Sequence, residues 1–315
     1  MCKNRLHAFV AALTLTASPA LAGPAEVPAP DYAAPLFDAY YNLGIGYGSN
    51  AFDLPFSTPT IRDKGATLQG RATFEAALGD RFGTQVDGVL RHEWNSQEMF
   101  GFTFDNPTTS ETLAAHLFWR DPNVGLIGAI GQFTNHDARW EEGGFQISLT
   151  DQNYFAGLEG QYFLGNVTLY AQAAYRGSTL SSGSSSIDGD GVALAGQARY
   201  FINPDLLIAA KGTYDFVRYD IPGSSAPHFD IEGWTAALRG EYRPATMPVS
   251  FFGEFTYGEK TYKQSDSFFD VSEKDTRAMV GIQYNFGTKS LQERDRAGGS
   301  LDPFENHFSY PFFPI

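Results

Sequence analysis

Few residues of this 315-residue chain have the types and spacing that chemistry needs. Five histidines follow the first 22 residues: His92, His116, His136, His228 and His307. Nucleophilic hydrolysis requires a hydroxyl within hydrogen-bond reach of a base that a third group orients. None of the five lies in a recognisable Ser–His motif. Asp137 beside His136 is a single adjacent acid–base pair. Ile187-Asp188-Gly189-Asp190-Gly191 hints at a calcium loop, but the twelfth position counted from Asp188, where an acid is required, is Arg199. With no spaced His or Cys cluster there is no expectation of a metal. No cofactor and no enzyme activity are expected.

The elements that position these residues follow from composition and periodicity. Residues 1–22 combine Lys3 and Arg5, the apolar run Phe9 to Leu15 and an Ala20-Leu21-Ala22 end, the marks of a secretory signal peptide. The one cysteine, Cys2, lies within it, so an exported chain would carry no disulfide. The formal net charge of −14 argues against nucleic-acid binding, which needs a basic surface. No stretch of 18 consecutive apolar residues follows the leader, so helical membrane spans are not expected. Aromatic residues nevertheless reach 15% and glycines number 33.

Beyond a Pro- and Ala-rich lead-in at 23–38, period-two alternation recurs. Ala66, Leu68, Gly70, Ala72, Phe74, Ala76 and Leu78 take one face of their segment, while Thr67, Gln69, Arg71, Thr73 and Glu75 take the other. A strand puts such charges on one side. Twelve segments read this way: 39–49, 66–78, 82–94, 111–120, 124–135, 153–164, 167–177, 190–201, 206–218, 231–243, 249–260 and 275–286. Most are ten to thirteen residues long, and a tilted strand needs about 9–11 to cross hydrocarbon. Connections alternate between tight ones rich in Pro, Gly, Asn and Asp, such as Gly79-Asp80-Arg81 and Asp121-Pro122-Asn123, and long ones. Short periplasmic turns alternating with long outer loops characterise membrane barrels. The expected fold is therefore all-β: a transmembrane antiparallel up-and-down β-barrel of about twelve strands over 39–286. One segment departs from the pattern. Phe145, Ile147 and Leu149 alternate in the opposite parity to Tyr154, Ala156 and Leu158, which predicts a bulge near Thr150-Asp151 or a separate hairpin in the third loop.

The final segment, Val280-Gly281-Ile282-Gln283-Tyr284-Asn285-Phe286, resembles the aromatic-ended last strand of the Gram-negative outer-membrane β-barrels, porin-like family. The resemblance covers residues 39–286 in architecture and only this strand in motif. It implies residence in the cell outer membrane and an insertion signal at Tyr284 and Phe286 read by the barrel-insertion machinery. Such proteins usually stop at that aromatic, whereas 29 residues follow here; 287–315 are read as a C-terminal periplasmic tail.

Strand parity assigns the interior. Arg71, Arg91, Arg176, Arg199, Lys211, Arg239 and Arg277 face inward with Glu75, Asp87, Glu93, Glu159, Asp215, Glu241 and Glu254, seven charges against seven. Buried charges are costly unless paired or hydrated, so this set can line a wet channel or form a salt-bridged plug. Aromatic girdles are expected at the two interfaces: Trp119, Tyr162, Tyr200, Tyr242 and Tyr284 at the periplasmic one, Tyr47, Trp94, Tyr175, Tyr214 and Tyr257 at the outer. The expected function is a porin-like channel for passive diffusion of small hydrophilic solutes. The alternatives are a structural or adhesive barrel with a plugged lumen, the loop stripe Met99, Phe100, Phe102 and Phe104 being a partner surface, or a lipid hydrolase using His92 near the outer interface. Expected partners are outer-membrane lipid, lipopolysaccharide, the insertion machinery and small solutes. No nucleic acid is expected, and the oligomeric state is left open.

Overall fold

The computed structural model describes residues 36–53, 61–99, 102–142, 145–221, 228–264 and 270–305. The expected signal peptide, most of the lead-in, and residues 306–315 of the tail lie outside the described residues.

Alternation over long runs makes strands whose apolar side is not covered by any helix among the described residues. The sheet therefore closes on itself and turns that side outward. Twelve strands form: β1 Phe37–Asp53, β2 Ile61–Ala77, β3 Phe82–Met99, β4 Phe102–Asp121, β5 Gly125–Glu142, β6 Phe145–Leu164, β7 Val167–Ser182, β8 Ser185–Asn203, β9 Leu206–Asp220, β10 His228–Tyr242, β11 Val249–Gln264 and β12 Asp270–Phe286. Each pairs antiparallel with its sequence neighbours, and β1 pairs with β12 to close the barrel. Closure leaves no strand edge unpaired, which a bilayer demands because nothing there can satisfy a free backbone group.

The outward face is an apolar belt. Ile45 is 61% exposed, Leu158 68% and Val280 60%, exposures that water would disfavour and lipid accepts. Tyr284 and Phe286 lie on this belt beside Tyr41 of β1, with the Phe286 ring 5.7 Å from Tyr41 and 4.5 Å from Tyr284. They belong to the seam, where Phe286 sits opposite Ala39.

Strands of 15 to 20 residues exceed the expected ten to thirteen. Much of what reads as long loop is strand continuing past the belt, so β3, β5 and β7 run on to Met99, Glu142 and Ser182. The parity conflict at 145–158 resolves here without a bulge. The β5–β6 ladder is unbroken from Gly125↔Tyr162 to Glu142↔Phe145. Along β6, Tyr154, Ala156 and Leu158 point outward, whereas Ile147 and Leu149 point inward. The strand keeps its parity; the solvent outside changes. Beyond the belt the exterior is water, so Gln146 and Ser148 face out and the apolar residues turn into the barrel.

The tail also departs from expectation. Residues 287–305 do not extend away from the barrel; they turn into it from the short-turn end. Gly287 takes φ +94°, a left-handed angle suited to glycine, where the chain reverses after β12. Helix α1, Leu291–Ala297, follows, with Ser290 as N-cap accepting from the Glu293 N–H. A run without helix or strand, Gly298 to Glu305, then climbs the interior wall.

The barrel interior as the candidate functional site

All fourteen charged residues assigned to the interior lie there, buried or half-buried. Several pair with one another. Arg71 contacts Asp87 at 2.8 Å, Arg277 contacts Glu93 at 2.9 Å and Arg176 contacts Asp215 at 2.8 Å. Arg239 lies 3.1 Å from Glu241 and 3.6 Å from Glu254. The others meet partners outside that set of fourteen, among them His116, which strand parity also places on the inward face. Glu75 pairs with Arg120 at 2.6 Å. Glu159 meets His116 Nδ1 at 2.8 Å, and the other ring nitrogen lies 3.2 Å from Asp87. His116 thus bridges two interior carboxylates. Arg91 donates to Gln69 at 2.5 Å. Arg199 and Arg71 reach the tail, and Lys211 lines a cavity beside it.

The girdle residues lie on the outer face. Tyr47, Trp94, Tyr162, Tyr175, Tyr200, Tyr242 and Tyr284 are exposed, and Trp119, Tyr214 and Tyr257 are half-exposed. Tyr47 and Trp94 flank Ala66 at one height. The Arg81 guanidinium lies 5.6 Å from the Trp119 ring centre. His92 is on the same outer face, edge-on to Trp94 and 2.9 Å from Thr109 Oγ1.

The tail is held by two of the parity-assigned arginines together with groups outside that set. Arg71 donates to Asp302 at 2.7 Å and to the Leu301 carbonyl at 2.7 Å. Arg199 donates to Asp295 at 2.7 Å and to Asp302 at 3.2 Å; Thr168 also donates to Asp295. Arg120 donates to the Gly298 carbonyl and Asp38 accepts from the Gly299 N–H. Four glutamines on four strands complete the wall. The Gln85 amide both donates to the Leu301 carbonyl (2.8 Å) and accepts from its N–H (3.1 Å). Gln132 does the same for Phe304, at 2.8 Å each way. Gln161 and Gln172 donate to the Ser300 and Asp302 carbonyls. Leu301 packs with Phe118, Leu126 and Tyr170. Phe304 enters an apolar pocket of Ile130, Phe155, Ala174 and Ala193, its ring stacked 5.3 Å from Phe155. Burial disfavours the charged Asp302 carboxylate, but Arg71, Lys211 and Arg199 outweigh that and hold it well below the usual carboxylate range.

Between the tail and β9 to β12 lies a cavity of about 90 Å³, lined by Lys211, Thr213, Thr235, Arg239, Glu254 and Gln283 on the side of those strands and by Arg71, Arg199 and Asp302 on the side of the tail, among others. Towards the long-loop end the interior divides. Leu180, Val217, Tyr219, Ile231 and Tyr262 form an apolar cluster, with Ile147, Leu149, Ile187, Phe229 and Val271 packed on it. Beside it, along β12, β1, β2 and β3, Asp275, Asn50, Asp63 and Gln97 stand side by side in register, all buried.

Two sequence features mark the tail as structured. Ser290 and Glu293 have the S-x-x-E spacing of a capping box shortly after the last strand. Leu301 and Phe304 are apolar residues in an otherwise polar stretch. The polar row was hidden because Asp63 lies before the segment read as strand, and the glutamines because they carry no charge.

No family model matches the chain, and no curated protein matches it by sequence. Solved structures share its architecture. The translocator domain of the autotransporter NalP from Neisseria meningitidis aligns with a TM-score of 0.51 at 12% identity, covering 81% of this chain and 90% of that one. An outer-membrane channel from Pseudomonas putida F1 aligns with a TM-score of 0.50 at 14% identity, covering 83% of this chain and all (100%) of that one. At such identities the likeness is one of fold. The fold is that of the Gram-negative outer-membrane β-barrels. With its apolar belt and closed, edge-free sheet, this chain is an outer-membrane β-barrel.

Proposed function

We propose that the protein is a gated outer-membrane channel for small hydrophilic solutes, closed at rest by its own C-terminal segment. The observation carrying this reading is the division of the lumen. The tail covers one wall, while a cavity with charged residues in its lining remains beside it along β9 to β12, and β12, β1, β2 and β3 carry the buried polar row of Asp275, Asn50, Asp63 and Gln97 nearer the long-loop end. Polar groups in the middle of a barrel are costly unless water or partners satisfy them, so this side is the natural path for hydrated solutes. The tail is held mainly by hydrogen bonds and ion pairs, which water can replace, and by two apolar side chains worth about 1.5–3 kcal/mol each. No covalent chemistry is needed: passage is passive, and interior charges set selectivity. The channel from Pseudomonas putida F1 supports the class by fold alone.

The apolar cluster at the long-loop end favours a second reading, a permanently closed barrel with a structural or adhesive role. Conductance across planar bilayers separates the two. Full-length protein should give rare, small openings, and the full-length Leu301→Glu/Phe304→Glu variant frequent, larger ones. A correctly folded variant that never conducts would sink the channel and leave the closed barrel.

A further inference from the structure

The wall that holds the tail has a chemistry of its own. A plug can be held through its side chains alone, yet here the barrel reads main chain. Gln85 and Gln132 each satisfy both the N–H and the C=O of one tail residue. A primary amide is the side chain that presents one donor and one acceptor face together, matching a peptide unit as a neighbouring strand does. Side-chain recognition is confined to three subsites. Leu301 fills an apolar site, Asp302 sits between the guanidinium groups of Arg71 and Arg199, and Phe304 enters the pocket closed by Phe155.

We infer that this wall, β2 to β8, is a peptide-binding groove, and that it takes a non-helical segment of another polypeptide carrying the same pattern: an apolar residue, a carboxylate next to it, and an aromatic two positions further on. The tail is its occupant in cis. Backbone reading makes the groove indifferent to most of the ligand's sequence. The Arg71–Arg199 pair selects the carboxylate, and the two apolar sites fix register and direction. A tethered segment competes at an effective concentration in the millimolar range, so a free peptide enters when the tail is weakened or displaced. The inference rests on the groove's contacts and not on conduction, and it stands or falls by binding.

The test uses the full-length Leu301→Ala/Phe304→Ala protein, folded in detergent, and a labelled peptide with the sequence of residues 298–305, followed by fluorescence anisotropy. The variant should bind the peptide saturably, and wild-type protein, its groove occupied, at least about tenfold more weakly. Asp→Asn in the peptide should weaken binding by about tenfold or more, because a charge-assisted contact is lost. So should N-methylation of the Leu and Phe amides, which removes the hydrogens that Gln85 and Gln132 accept. A heat-shift assay on the same sample confirms a folded barrel. Folded variant that shows no saturable binding at millimolar peptide overturns the inference. Equal affinity for the N-methylated peptide overturns its main point, since the wall would then be reading side chains alone.

Discussion

The two sides of the lumen are made from the same alternating strands yet solve different problems. The covered side, β2 to β8, offers the tail neutral amides, Gln85, Gln132, Gln161 and Gln172, with arginines where the tail brings carboxylates. The open side, β9 to β12, offers Lys211, Arg239 and Glu254 to a cavity. Amides complement a peptide backbone and are poor at attracting ions; charges attract ions and need water or counter-charges around them. One barrel thus carries a wall built to hold a chain and a wall built to stay wet.

The sharpest way to break this contrast is to remove one charge from each side. Arg71→Ala strips a shared guanidinium from Asp87 and Asp302. Removing one partner of a buried ion pair costs about 3–5 kcal/mol, which raises the undocked population of the tail by up to roughly two to four orders of magnitude. Trypsin cleavage after Arg294 and Arg296 in the folded barrel should accelerate accordingly. Glu254→Gln on the open side loses a partly exposed contact with Arg239 at 3.6 Å, a pair of the kind worth about 0–1 kcal/mol. Cleavage there should change no more than a few-fold. Equal acceleration by both substitutions would mean the two walls are one.

How far the sequence foretold this contrast depends on what periodicity can see. Parity brought Arg71, Asp87, Arg199 and Glu241 to the interior because a strand admits only two faces. It also brought out the belt, since lipid-facing positions must be apolar on every strand. It failed where the medium changes along a strand. Ile147 and Leu149 kept their parity but lost their bilayer, and their inversion looked like a break in structure. It failed again for the tail, because periodicity describes repeating elements, and Gly298 to Glu305 repeats nothing. Its place is set by single matches, Asp302 to two arginines and Phe304 to one pocket, which no spacing rule encodes. The glutamines were invisible for the complementary reason: an inward amide reads as a solvated position until a backbone is seen against it.

Acid should separate the walls next. Asp302 is held below the usual carboxylate range by Arg71, Lys211 and Arg199, although burial opposes this. Its share of the docking energy is therefore complete above the free carboxylate value of about 3.9 and is lost as pH falls from there towards the depressed one. Protection of Arg294 and Arg296 from proteolysis should hold at pH 5 and fail only below about pH 4, read with an acid-active protease. Asp302→Asn should cost about tenfold in protection at neutral pH and flatten the acid limb. A wild-type tail already released at pH 5 would place its anchor elsewhere than the Arg71–Arg199 pair.

The smallest expected effect belongs to the open wall. Lys211 faces the cavity, and Lys211→Glu reverses one charge beside the path without touching a tail hydrogen bond. In the Leu301→Glu/Phe304→Glu background, where the tail no longer closes the lumen, cation-over-anion permeability should rise a few-fold at low salt through the altered local potential. The shift should shrink at 1 M salt, where the screening length is about 3 Å. Tail protection in the otherwise wild-type chain should fall far less than with Arg71→Ala, since Lys211 favours the Asp302 carboxylate by charge and Arg71 also by a hydrogen bond. A selectivity that ignores Lys211 would move the solute path off β9 to β12. A selectivity change accompanied by a loss of tail protection as large as that of Arg71→Ala would show instead that Lys211 is a main anchor of Asp302, and that the open wall shares equally in the work of the covered one.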